Sequence, residues 1–154
     1  MDIAGAKLVR AYHLSFLDYL KHKFSNQGWP TLPEIHRVMS INCLTILRSE
    51  LRFNICGLDN SSVLNSDVPD LAERIVSSIS GDLQYGALFW MTHVASAFGS
   101  GSETDDEIRD LVHGLVCHRR IFFWLEVTVL IGQIERAIDI LRRCGQHFTV
   151  SEVL

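Results

Sequence analysis

Between Glu34 and Asn54 the chain reads EIHRVMSINCLTILRSELRFN. Its apolar positions, Ile35, Val38, Met39, Ile41, Leu44, Ile46, Leu47, Leu51 and Phe53, recur at intervals of three and four. That period belongs to an α-helix, and so many apolar positions give it core contact on more than one side. Gly57 is the natural stop, because glycine tolerates the left-handed backbone that ends a helix. The stretch points to a mainly α fold.

Working outward toward the C-terminus, Leu58 to Pro69 has no period and reads as an ordered loop. Asp70 to Ile79 is a short helix, and Ser80 or Asp82 caps the next, Leu83 to Phe98. Gly99 to Thr104 is the clearest linker, and the acids Glu103, Asp105, Asp106 and Glu107 suit the start of a helix ending near His118. Helices over Ile121 to Ile131 and Gln133 to Cys144 part at Gly132. Toward the N-terminus, Ser25 to Pro33 is turn chemistry, with Gly28, Pro30 and Pro33. Lys7 to Tyr12 alternates like a short strand and runs into an apolar helical stripe over Ser15 to Phe24, with Ser15 at the N-cap. The expected architecture is an irregular helical bundle of about six or seven helices with one short N-terminal strand.

At 154 residues, 47% of them apolar, the chain is about one domain long and can bury a core. With 21% charged residues and a net charge of −4, its bulk electrostatics point to neither nucleic acid nor an anionic membrane as a partner. The best apolar run, Ile121 to Ile131, is too short to span a bilayer and contains Glu126. Met1 to Arg10 lacks the pattern of a secretory signal, so the expectation is a soluble, cytoplasmic protein whose cysteines, Cys43, Cys56, Cys117 and Cys144, stay thiols.

Motifs of catalysis are not found. No Gly-Lys pair exists to build a phosphate-binding loop, and acids follow the glycines at 99–102. There is no Gly-x-Ser-x-Gly elbow, and Cys117, beside His113 and His118, lacks a protease context. His113 and Cys117 share a helix face, but two ligands do not make a metal site. The aromatics Phe89, Trp90, Phe122, Phe123 and Trp124 sit at helical spacing among aliphatic residues and read as core. His93 and Glu126 read as satisfied structural groups. The expectation is no enzyme, no catalytic residue, no metal and no cofactor of its own.

Four phrases, YHLSFLDYL (Tyr12 to Leu20), LRFNICGLDNSSVLNSDVPDLAERI (Leu51 to Ile75), ISGDLQYGALFWMTHV (Ile79 to Val94) and FFWLEVTVLIG (Phe122 to Gly132), agree in order and spacing with one family. Together they resemble the region just after the NACHT ATPase core of fungal NACHT/WD-repeat receptors of the STAND class. The resemblance implies that residues 1–24 end a winged-helix subdomain. It makes 25–98 and 105–144 the two parts of a helical arm, and 145–154 a frayed tail. The implied function is regulatory: a linker in a signalling ATPase of self/non-self recognition, heterokaryon incompatibility and programmed cell death. Its implied partners are the NACHT and WD-repeat domains of a full-length relative, with hinges at Gly57 to Pro69 and Gly99 to Thr104. His13 matches a family histidine that reaches bound ADP, a role it carries only where an ATPase core is present. The alternative is a stand-alone helical adaptor, or a small-ligand-binding domain with a pocket among Trp90, His93, His113 and Trp124.

Overall fold

The computed structural model describes residues 31–60, 62–98 and 106–147. These form six α-helices: α1 (Leu32–Glu50), α2 (Leu71–Ser78), α3 (Gly81–Phe98), α4 (Asp106–Val116), α5 (Arg120–Leu130) and α6 (Ile134–His147). A single 3-10 turn, Asn65–Asp67, interrupts the loop before α2. The chain is mainly helical, as expected. The expected strand and the whole segment 1–24, with His13 and Ser15, lie outside the described residues, as do the Gly99 to Thr104 linker and residues 148–154.

The bundle is organised on α3. Its sequence is apolar nearly all round, which is the pattern of a helix enclosed by others. It packs against α1, α5 and α6, while α4 closes on α1 and α5. Leu83, Ala87, Trp90, Met91 and Val94 of α3 are buried, facing Cys43, Leu44 and Leu47 of α1 on one side and Trp124 of α5 on another. Burial of each large side chain contributes about 1.5–3 kcal/mol. The closest approach is at Gly86, where an added Cβ would stand 3.3 Å from the carbonyl oxygen of Cys43.

Local chemistry sets most helix ends. Thr31 and Glu34 form a reciprocal capping box, with Pro33 in the first turn, so α1 begins inside the stretch expected to be a turn. Ser80 Oγ accepts the Leu83 N–H at 3.0 Å and donates to Glu50, capping α3 and tying it to the end of α1. Gly132, at φ +69°, closes α5: its N–H bonds to Val129 O and that of Gln133 to Thr128 O, the paired pattern of a left-handed helix stop. At the C-terminus helix continues through Gly145 to His147, beyond the Cys144 end expected from the apolar pattern.

The first long helix differs from its reading. It stops at Glu50, with Leu51 as its cap, rather than running to Asn54 and Gly57. Apolar residues continue at Leu51, Phe53 and Ile55, but the backbone leaves the helix at extended Leu51, and a carboxylate from α5 takes the N–H groups of Asn54 and Ile55.

Candidate functional site

That carboxylate is Glu126. Its two oxygens accept the N–H groups of Asn54 and Ile55, both at 3.1 Å. Asn54 takes a left-handed φ of 50°, a conformation asparagine tolerates well. Its side chain closes a loop by accepting from Leu58 N at 2.7 Å and donating to Leu58 O at 2.9 Å. From α2, Arg74 donates to Gly57 O at 2.6 Å and pairs with Asp70 at 2.8 Å. Residues 54–58 are thus held from two helices by side chains.

This clamped loop carries Phe53 outward. Phe53 is 78% exposed and Phe122, on the neighbouring face of α5, is 66% exposed. Phe53 is steadied on its inner side by Phe123, with ring centroids 6.4 Å apart. Between the loop and α5 runs a groove of about 610 Å³, with Leu58, Val63, Leu125, Val129 and Leu130 among its apolar walls and Asp59, Asn60 and Asn65 on its polar side. The loop held in this way presents an aromatic ring to water beside an apolar groove. A second apolar stripe, Leu32, Ile35 and Val38, faces outward on the first half of α1.

A polar chain crosses the α1–α3 contact. Tyr85 Oη lies 2.8 Å from His93 Nε2, and His93 Nδ1 lies 2.9 Å from His36 Nδ1. One proton sits between the two Nδ1 atoms, so the pair holds together only while one ring is neutral there. Burial, then the neighbouring His36, pushes His93 below its ordinary value, and burial followed by Cys43 pushes the Tyr85 hydroxyl up. Phe89 stacks on Tyr85 at 4.8 Å, and the Arg136 guanidinium lies 4.3 Å over Phe89 while its Nε donates to Leu88 O. The chain ties α1, α3 and α6 together.

Of the residues singled out in the sequence, Trp90 and Trp124 share one buried core cluster. Trp90 and Trp124 are each 0% exposed, which leaves no water-sized space at either ring, and His93 bonds to His36 and Tyr85 while His113 meets His118 edge-on at 5.6 Å. The proposed pocket among Trp90, His93, His113 and Trp124 is therefore not formed. Phe122 is not core, contrary to the reading of the aromatic cluster. Among the described residues no group of three or more His, Cys, Asp or Glu side chains is placed to hold a metal ion, and none of their helices is long and apolar enough to cross a membrane. His36 and Phe53 were missed as site residues: nothing in the apolar pattern singles out His36, and Phe53 counted among the apolar positions of the first long helix.

No protein-family model matches the chain, and neither the curated proteins nor the solved structures contain a match.

Proposed function

We propose that this chain is a non-catalytic helical linker and regulatory segment of a NACHT-type signalling ATPase, of the kind used in fungal self/non-self recognition and programmed cell death. It works by docking protein domains, the NACHT and WD-repeat domains of a full-length relative, and by moving as a packed unit between them. ATP or ADP belongs to that larger setting, where an ATPase core would supply the nucleotide site and His13 would approach it. The observation that carries the docking role is Phe53, held out on a loop fixed by Glu126, Asn54 and Arg74, beside exposed Phe122 and an apolar groove. Burying two such rings at a partner surface contributes several kcal/mol, the scale of an interface anchor.

The test is direct binding of the purified chain to a purified NACHT/WD-repeat protein of this class, followed by biolayer interferometry. Saturable binding that the Phe53→Ser, Phe122→Ser double variant weakens at least about tenfold, with helicity retained, supports the reading. Absence of binding, or binding indifferent to both substitutions, removes it.

A further inference from the structure

The joint between α4 and α5 gathers positive charge around a small cavity. Arg48 comes from the last turn of α1 and Arg120 from the first turn of α5; His118 of the joint itself and Asp110 of α4 line the same cavity. The space is about 180 Å³. It holds a tetrahedral oxyanion with a few waters, each of which takes about 30 Å³ in the liquid, and is too small to enclose a nucleotide.

Three observations converge there. Among the described residues the ion pairs are Arg37–Glu107, Arg74–Asp70, Arg109–Asp106 and Arg142–Asp139, so Arg48 and Arg120 share a cavity with no carboxylate at ion-pair distance from either. The Nε–H of Arg120 is buried without an acceptor among the described residues, so the hydrogen bonding of that guanidinium is incomplete within the described chain. Arg120 opens α5, so the positive end of that helix dipole lies beside the cavity, although the amides of Ile121 and Phe122 are already taken by the carbonyls of His118 and Arg119.

We propose that this cavity binds inorganic hydrogen phosphate. Arg48 and Arg120 donate to its anionic oxygens, and Asp110 accepts from its one P–O–H. Asp110 sets the choice of anion. Sulfate has no proton to offer at neutral pH, and a phosphate monoester, whose second pKa is about 6, has mostly lost its own. Either would face the Asp110 carboxylate with bare negative oxygen, whereas hydrogen phosphate meets it with a donor.

Isothermal titration of the full chain at pH 7.5 with orthophosphate, sulfate and methyl phosphate tests this. The expected result is one saturable orthophosphate site, with the other two anions bound about tenfold more weakly. Arg48 and Asp110 are exposed, so their substitution leaves the fold in place, as circular dichroism will verify. Arg48→Gln weakens orthophosphate about tenfold, Asp110→Asn brings sulfate up to orthophosphate, and Arg142→Gln, outside the cavity, changes nothing. Lack of saturable orthophosphate binding, equal affinity for sulfate in the unsubstituted chain, or the same weakening from Arg142→Gln overturns the proposal.

Discussion

Trp124 donates its indole N–H to the main-chain carbonyl of Ala87, 2.9 Å away across the contact of α5 with α3. Trp90, just beyond Ala87 on α3, is equally buried, yet its indole N–H has no acceptor among the described residues. The two rings contribute similar apolar area but opposite polar terms.

Trp124→Phe removes both ring volume and a satisfied hydrogen bond, leaving the Ala87 carbonyl without its donor; the expected loss is about 2–4 kcal/mol. Trp90→Phe removes the same volume but relieves an unsatisfied buried donor, so its loss is smaller by about 1 kcal/mol or more. Urea unfolding of both variants checks the order, and equal losses would contradict it.

Glu126 accepts the backbone N–H groups of Asn54 and Ile55, which have no other acceptor among the described residues. Glu126→Ala should cost about 3 kcal/mol, because hydrogen bonds to a charged acceptor are lost and two donors are stranded. Glu126→Gln keeps one acceptor oxygen and should cost roughly half as much. Amide hydrogen exchange at Asn54 and Ile55 provides the local readout: faster exchange in both variants, greatest in the alanine.

Two glycines within helices are expected to respond in opposite directions. Alanine is favoured over glycine by about 1 kcal/mol inside a helix. At Gly114 an added Cβ meets nothing within 4 Å, so Gly114→Ala should stabilise by about 0.5–1 kcal/mol. At Gly86 the same methyl presses on the Cys43 carbonyl at 3.3 Å, a main-chain atom inside a packed helix that cannot swing away. Gly86→Ala should therefore destabilise by about 1–3 kcal/mol despite its better propensity, as thermal melts would show.

Acid should weaken the α1–α3 contact. His93 is held below 6.5, first by burial and then by His36. As the pH drops below 6.5 the unfolded chain takes up a proton that the folded chain resists, so stability is complete above that pH and declines as the folded value is crossed. Tm recorded from pH 7.5 to 5 should fall, and His93→Gln should flatten the slope. An unchanged slope would show that other groups set the acid response.

The thiols give the alkaline counterpart. Burial pushes Cys43 and Cys144 from 9.0 up to about 11. Between those values the unfolded chain releases protons that the folded chain keeps, so stability falls as the pH rises above 9.0. At pH 8 Cys117, the exposed thiol, should react with a disulfide reagent at least about a hundredfold faster than Cys43 or Cys144. Mass mapping of the first modified cysteine settles the order.

The helices were legible because their apolar positions repeat at the helical period: Leu83, Ala87, Trp90, Met91 and Val94 announce an enclosed helix with no knowledge of its neighbours. Gly132 was legible as a stop because the left-handed cap it supplies is a local requirement. The end of α1 was not, because its cause lies far along the chain. Nothing in LRFNIC distinguishes a helix from a turn until Glu126 is folded against it, and Phe53, counted as core by its spacing, turns outward with the loop. The histidine chain and the Arg48–Arg120 cavity escaped for the same reason. Each joins residues from separate helices, and single-sequence periodicity carries no information about such pairings. The proposed docking role rests on Phe53 and Phe122, and both had been read as interior.

The Glu126 clamp also bears on the order of assembly. The acceptor of these two amides lies 72 positions away for Asn54 and 71 for Ile55, so the boundary is complete only once that partner arrives. Until α5 docks, the apolar period favours continuing α1 toward Gly57, so the early chain should be more helical here than the finished protein. The expected last step of folding in this region is an unwinding, in which the final turn of a nascent helix opens as Glu126 takes its amides. A peptide spanning 31–58 would preserve that earlier, longer helix.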